Sequence, residues 1–135
     1  MPVADSVRVA IESDGDVVMA RQEARAMGAA LGFSSTDLTL LATAISEVAR
    51  NITTYAGHGE VTLRVLRERG RDGIEVVASD DGPGIADVEL ALQDGFTTGN
   101  GLGLGLPGAR RLVDEFDLET APGRGTRVRL VKWRV

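Results

Sequence analysis

Glu47 and Asn51 are two polar side chains whose types and spacing suit chemistry on a helix. Residues four apart on an α-helix lie about 40° from one another around the axis, so the two share one face. A carboxylate one turn before an amide oxygen suits a general base beside a magnesium ligand, because Mg²⁺ prefers oxygen ligands and takes few of them from protein. A solvated polar face is the commoner origin of such a pair, and the spacing alone leaves both interpretations open.

Asp80 begins a second cluster, because Gly82 and Gly84 follow it at the end of an apolar, strand-like segment. An ionised aspartate accepts a hydrogen bond from an exocyclic amine such as N6 of adenine. Glycines beside it let a flat ring lie against the backbone. A plain strand-to-turn transition is the alternative, since Asp and Gly often form one.

A glycine run stands before a helical pattern, and it reads Gly101-Leu102-Gly103-Leu104-Gly105-Leu106. The first N–H groups of a helix lack internal partners and carry partial positive charge, which makes a natural phosphate site. The segment 103–108 also fits the pattern G-x-G-x-x-G, but the dinucleotide fingerprint requires a strand directly before it. Here the run follows a loop late in the chain, so we reject that interpretation.

The composition limits the classes of function that the chain can have. The 135 residues predict one domain spanning residues 1–135. The absence of cysteine excludes a thiolate nucleophile and cysteine-ligated metals, and the single histidine, His58, excludes a histidine-rich zinc site. The net charge of −5 disfavours nucleic acid as a partner. Without an apolar run of about 20 residues or a leader, we expect a cytoplasmic protein with no membrane partner.

The elements that must position these residues alternate between strands and helices. Periodicity predicts a strand over 6–11, helices over 17–31 and 36–54, and a hairpin with its turn at 70–73. A short helix over 87–93, a loop over 94–105, a helix from Pro107 and a final hairpin with its turn at 122–125 follow. Ser34 and Asp37 resemble a capping box for the second helix. The order predicts an α+β fold, a two-layer α/β sandwich with helices on one face of a mixed, mostly antiparallel sheet.

The order of these motifs is more specific than any one of them. Glu47-x-x-Arg50-Asn51, Asp80-x-Gly82-x-Gly84, the glycine run and Gly125-Thr126 follow one another as do the four boxes of the GHKL ATPase superfamily, which has the Bergerat fold. Within it the chain resembles bacterial anti-sigma-factor-type serine/threonine kinases, and most of all the RsbT family of stressosome switch kinases. The segments 43–52, 94–98, 105–108 and 112–116 carry this closer resemblance.

The resemblance implies a role for each matched residue. Asn51 would coordinate Mg²⁺ between the ATP phosphates, Glu47 would be the catalytic base, and Asp80 would bind adenine N6. The other implied nucleotide-binding residues surround the base or the phosphates, and they are Gly82, Gly84, Ile85, Gly101, Leu102, Gly103, Leu104, Gly105, Leu106 and Thr126.

The resemblance also implies partners. The protein substrate would be a STAS-domain antagonist of the RsbS or RsbR type, phosphorylated on Ser or Thr. A PP2C-type phosphatase of the RsbU type would be activated by binding. Two alternatives stay open: an anti-sigma factor that sequesters a sigma subunit of RNA polymerase, and a nucleotide-gated scaffold without turnover.

Overall fold

One antiparallel sheet with helices packed against it forms the fold. The computed structural model describes residues 5–84 and 105–134. Every strand pair in that part of the chain is antiparallel, and the strand order is β1-β2-β3-β5-β4. The α+β prediction is therefore confirmed. The elements are β1 (Ser6–Ile11), α1 (Asp14–Ala30), α2 (Ser35–Asn51), a π-helical turn (Ile52–Ala56), β2 (Gly59–Glu68), β3 (Arg71–Asp80), α3 (Gly105–Leu112), β4 (Glu115–Thr120) and β5 (Thr126–Trp133).

The core lies between the helices and one face of the sheet. Alternate residues of the central strands β3 and β5 point toward it, which is why the sequence alternates there. Ile45 on α2, Ile74 and Val76 on β3, and Leu130 on β5 are all fully buried. No helix within residues 5–84 or 105–134 has both the length and the hydropathy that a bilayer crossing requires.

Two serines begin the first two helices. The Ser13 hydroxyl accepts a hydrogen bond from the Asp16 N–H, so α1 begins at Asp14, three residues before the predicted start. The Ser34 hydroxyl accepts from the Asp37 N–H at 3.1 Å, which confirms the predicted cap. The α-helical part of α2 ends earlier than predicted, at Asn51, and the chain continues as the π-helical turn.

The first hairpin turns earlier than the sequence predicted. Arg69 and Gly70 both have positive φ angles, 53° and 78°, and form a two-residue turn between β2 and β3. The predicted turn at 70–73 is wrong, because Arg71–Gly73 belongs to β3. Gly73 serves packing instead: a Cβ there would lie 2.5 Å from the Trp133 ring. The predicted turn at 122–125 is confirmed, since β4 and β5 flank it.

The last predicted helix begins at Gly105 rather than at Pro107, and it packs against α2. The predicted helix over 87–93 lies outside the described residues. So does the predicted loop over 94–105 except for Gly105, where the prediction is wrong because Gly105 begins α3.

Candidate functional site

The carboxylate of Glu47 is buried and held at both oxygens. The residue is 8% exposed, although the sequence placed it on a polar face away from the apolar stripe of α2. Oε1 accepts a hydrogen bond from Nη1 of Arg50 at 3.2 Å, and Oε2 accepts one from the N–H of Gly105 at 3.0 Å. A buried charge requires such partners, because desolvation otherwise opposes ionisation.

Gly105 places the start of α3 beside that carboxylate. It has a φ of 64° and is the first residue of the helix. An N–H at this position has no intrahelical acceptor, and the helix dipole adds partial positive charge there. The end of the glycine run and the candidate base thus meet at a point that favours negative charge.

Asn51 ends α2 one turn beyond Glu47, about 6 Å farther along the axis at 1.5 Å per residue. It is half-buried, and its side chain makes no capping hydrogen bond to the π-helical turn that follows. A carboxylate and an amide oxygen that caps no helix therefore lie along one helix face, as the sequence predicted.

Asp80 and Thr126 are directly opposite one another on the neighbouring strands β3 and β5. Oδ1 of Asp80 accepts a hydrogen bond from the N–H of Gly82 at 2.9 Å, which turns the chain at the end of β3. The Thr126 hydroxyl lies 3.0 Å from the Thr120 hydroxyl on β4. Two residues far apart in sequence thus share the same end of the sheet.

Glycines allow the loop after Asp80 to pack closely on the turn between β4 and β5. A Cβ on Gly84 would collide with the carbonyl of Ala121, and one on Gly125 with the carbonyl of Asp80. Both glycines also have positive φ angles, 76° and 78°. This backbone contact fixes the loop relative to β5 and so keeps Asp80 in its place.

The π-helical turn connects the two halves of the site. A Cβ on Gly82 would come within 2.6 Å of the Cβ of Ala56, the last residue of that turn. The segment that follows Asn51 therefore contacts the segment that follows Asp80. One half of the site carries acid and amide groups, and the other carries the predicted adenine contacts.

Comparison with known proteins identifies the family. The family model described as "Histidine kinase-, DNA gyrase B-, and HSP90-like ATPase" matches residues 36–135. The serine/threonine-protein kinase RsbT of Bacillus subtilis is 45% identical over 129 residues, which are 96% of this chain and 97% of RsbT. This chain belongs to the histidine kinase-, gyrase B- and HSP90-like ATPase family. The resemblance to RsbT-type proteins inferred from the ordered motifs is confirmed.

Other members of the family are also similar. An anti-sigma F factor of Caldanaerobacter subterraneus is 34% identical over 120 residues, which are 84% of this chain and 82% of that protein. A crystal structure of RsbU and RsbW domains from Mycobacterium tuberculosis matches with a TM-score of 0.66 at 19% identity, over 98% of this chain and 34% of that one. The mycobacterial sensor histidine kinase MprB matches with a TM-score of 0.56 at 22% identity, over 98% of each chain. The two structures support the fold alone.

Some residues predicted to contact the nucleotide lie outside the described part of the chain, and one is buried in the core. Leu106 is 5% exposed and belongs to the hydrophobic core. The predicted contacts that lie outside the described residues are Ile85, Gly101, Leu102, Gly103 and Leu104.

Sequence reasoning missed a basic cavity beside Glu47. Its volume is about 260 Å³, and it is lined by Arg21, Arg25, Ala42, Thr43, Ser46, Glu47 and Arg50. The only available signal was the spacing of Arg21 and Arg25, four residues apart on α1. In this ATPase family member, a cationic surface therefore adjoins the candidate base.

Proposed function

We propose that this protein is an ATP- and Mg²⁺-dependent kinase that phosphorylates a serine or threonine of a STAS-domain antagonist, of the RsbS or RsbR type, in the cytoplasm. The serine/threonine kinase activity is supported by the 45% identity to RsbT over nearly the whole of both chains. The ATP requirement is supported by the ATPase family match.

The observation that carries this proposal is the buried Glu47 at the start of α3, one turn before Asn51. In the reaction, the acceptor hydroxyl oxygen bonds to the γ-phosphorus, and the bond from that phosphorus to the bridging oxygen breaks, releasing ADP. Glu47 takes the hydroxyl proton. Phosphoryl transfer depends mainly on positioning and charge stabilisation, so few residues suffice.

The chemistry of the donor set fits the magnesium ion and the nucleotide. Asn51 offers an amide oxygen, the ligand type that Mg²⁺ prefers, and Mg²⁺ normally keeps other positions for phosphate and water. When bound, the ion would neutralise charge on the phosphates. Gly105, at the start of α3, would lie beside a phosphate that the helix dipole favours, while its own N–H stays bonded to Glu47. Asp80, beside Thr126, would accept a hydrogen bond from the adenine amine.

Partner exchange completes the proposal. After transfer, the kinase would leave its phosphorylated substrate and bind a PP2C-type phosphatase of the RsbU type, which it would activate. A second candidate function is sequestration of a sigma subunit, and the 34% identity to an anti-sigma F factor favours it.

The deciding experiment incubates the protein with [γ-³²P]ATP, Mg²⁺ and a STAS-domain protein. We expect label in that protein, loss of label with Glu47→Gln, and unchanged label with Glu60→Gln, a control carboxylate on the sheet that pairs only with Arg8 in the described part. Absence of label with the wild type would rule out the kinase proposal. Stable co-purification with a sigma factor and no label would favour the second candidate.

A further inference from the structure

The cavity between α1 and α2 carries positive charge in an acidic protein. Three arginines line it, and Glu47 is the one carboxylate among the described residues that line it. The whole chain has a net charge of −5. The cavity is therefore locally positive although the chain as a whole is negative, and it adjoins the candidate base.

Two of these arginines bring like charges close together on α1. Arg21 and Arg25 are four residues apart on α1, and like charges at that spacing destabilise a helix. Within residues 5–84 and 105–134, neither forms an ion pair. Their placement favours a negative group that enters the cavity from outside the described residues.

The hydroxyl groups of the cavity do not compete for that role. The Thr43 hydroxyl donates to the Thr39 carbonyl at 2.8 Å, and the Ser46 hydroxyl donates to the Ala42 carbonyl at 3.0 Å. Among the described residues that line the cavity, the guanidinium groups are thus the side-chain donors that remain. Guanidinium donors match planar carboxylate and tetrahedral phosphate groups, often through two parallel hydrogen bonds.

Arg50 belongs both to the cavity and to the candidate base. Its side chain is 49% exposed and lines the cavity, while Nη1 lies 3.2 Å from Oε1 of Glu47. The other oxygen of Glu47 is occupied by the Gly105 N–H. Oε1 is therefore the oxygen that becomes a free proton acceptor when Arg50 moves to another anion.

We propose that the cavity binds a carboxylate of the protein substrate, which then competes with Glu47 for the guanidinium of Arg50. This inference rests on the proposed kinase function. A carboxylate is favoured over a phosphate because the competition must occur before transfer, when the acceptor site is still unphosphorylated. Docking of the substrate then releases Glu47 from Arg50 in the same step. Specificity for the protein substrate is determined by an acidic residue near its acceptor hydroxyl.

The first arm of the test removes Arg21 and Arg25. In the assay with [γ-³²P]ATP and a STAS-domain protein, Arg21→Ala/Arg25→Ala should raise the KM for the protein substrate at least tenfold and leave the KM for ATP unchanged. Added NaCl should raise that KM for the wild type and raise it less for the variant, because screening weakens charge pairing and only Arg50 remains there to pair with the carboxylate. The control is Arg8→Ala/Arg67→Ala, which removes two exposed arginines from the sheet and changes the net charge equally.

The second arm tests the competition. Arg50→Ala leaves Oε1 of Glu47 without its guanidinium partner, so ATP hydrolysis without protein substrate should rise at least threefold. Arg50→Lys should restore hydrolysis toward the wild-type rate. Hydrolysis that stays equal or falls in Arg50→Ala overturns the competition.

A third readout separates this inference from the kinase proposal. Binding of the STAS-domain protein in the presence of ADP is measured by calorimetry, which does not depend on transfer. If the wild type binds but transfers no label, the kinase proposal fails, while a tenfold weaker affinity of Arg21→Ala/Arg25→Ala still supports the carboxylate site. Equal affinity of variant and wild type, or no binding by either, overturns the inference.

Discussion

The backbone N–H of Gly105 donates a hydrogen bond to Oε2 of Glu47, which lies 58 residues earlier, at 3.0 Å. The contact joins the end of the glycine run to the candidate base through the start of α3. The start of α3 is also proposed to lie beside a phosphate, so nucleotide binding and the orientation of Glu47 depend on the same backbone segment. The conformation of Gly105 is therefore a direct test of the site.

Gly105→Ala should impair phosphoryl transfer more than it impairs folding. The φ of 64° strains an alanine by about 1–2 kcal/mol, and relief of that strain turns the N–H away from Glu47. We expect transfer to fall more than tenfold, measured with labelled ATP, alongside a loss of about 1–2 kcal/mol in urea unfolding. Gly70→Ala is the control, with a φ of 78° in an open turn far along the sheet. Equal transfer by both variants would show that the Gly105 contact is dispensable.

Two glycines in one turn should respond very differently to alanine. Gly123 and Gly125 have nearly the same φ, 76° and 78°, but a Cβ on Gly123 meets open space, whereas one on Gly125 collides with the Asp80 carbonyl. Gly123→Ala should lower the free energy of unfolding by about 1–2 kcal/mol, which is the backbone strain alone. Gly125→Ala should lower the free energy of unfolding further, and it should also bind ATP more weakly because Asp80 must move. Urea unfolding and calorimetry check this, and identical behaviour of the two variants would contradict it.

Asp80→Asn should weaken ATP binding while the loop keeps its shape. The asparagine oxygen still accepts from the Gly82 N–H, but an amide nitrogen replaces the second carboxylate oxygen and cannot accept from the adenine amine. Loss of a hydrogen bond to a charged group is worth about 1.5–3 kcal/mol, so the Kd should rise by at least tenfold. Asp81→Asn, at the exposed next residue, provides the control for charge. Calorimetry with ATP that gives the same Kd for both variants would remove Asp80 from the adenine site.

Sequence alone predicted which residues form motifs, but not which of them meet. Asp80 and Thr126 were both expected near adenine, yet only the antiparallel pairing of β3 with β5 makes them direct neighbours. Pairing between distant strands leaves no local signal in the chain. The α+β class, by contrast, followed from local periodicity and from caps such as Ser34.

The environment of Glu47 was the main feature that periodicity could not supply. Its position about 110° from the apolar stripe of α2 predicted a polar face, at 100° per residue. The face is buried because α3 packs over it and places Gly105 at the carboxylate. The turn predicted at Gly73 was wrong for a similar reason. A glycine required by contact with Trp133 cannot be told in the sequence from a glycine required by a turn.

The open face of the sheet provides a prediction on acid stability. The indole N–H of Trp133 donates to Oε2 of Glu115 at 2.8 Å, and this bond, aided by Arg129, lowers the pKa of the Glu115 carboxyl below its ordinary 4.5. A lowered pKa in the folded state means that the ionised form stabilises the fold above pH 4.5, and that this contribution is lost as the pH falls below it. Glu115→Gln should therefore lower the free energy of unfolding near neutral pH and have less effect in acid.

We expect a loss of about 1 kcal/mol at neutral pH, the lower part of the range for charged hydrogen bonds because Glu115 is partly exposed and screened. The measurement is urea unfolding followed by the fluorescence of Trp133, the single tryptophan of the chain, at neutral pH and at several values below 4.5. The matched control is Glu119→Gln on the same strand, whose carboxylate is 75% exposed and lies 3.9 Å from Arg127. A difference between Glu115→Gln and the wild type that stays constant through the acid range would contradict the assignment, because the loss would then come from shape rather than from charge.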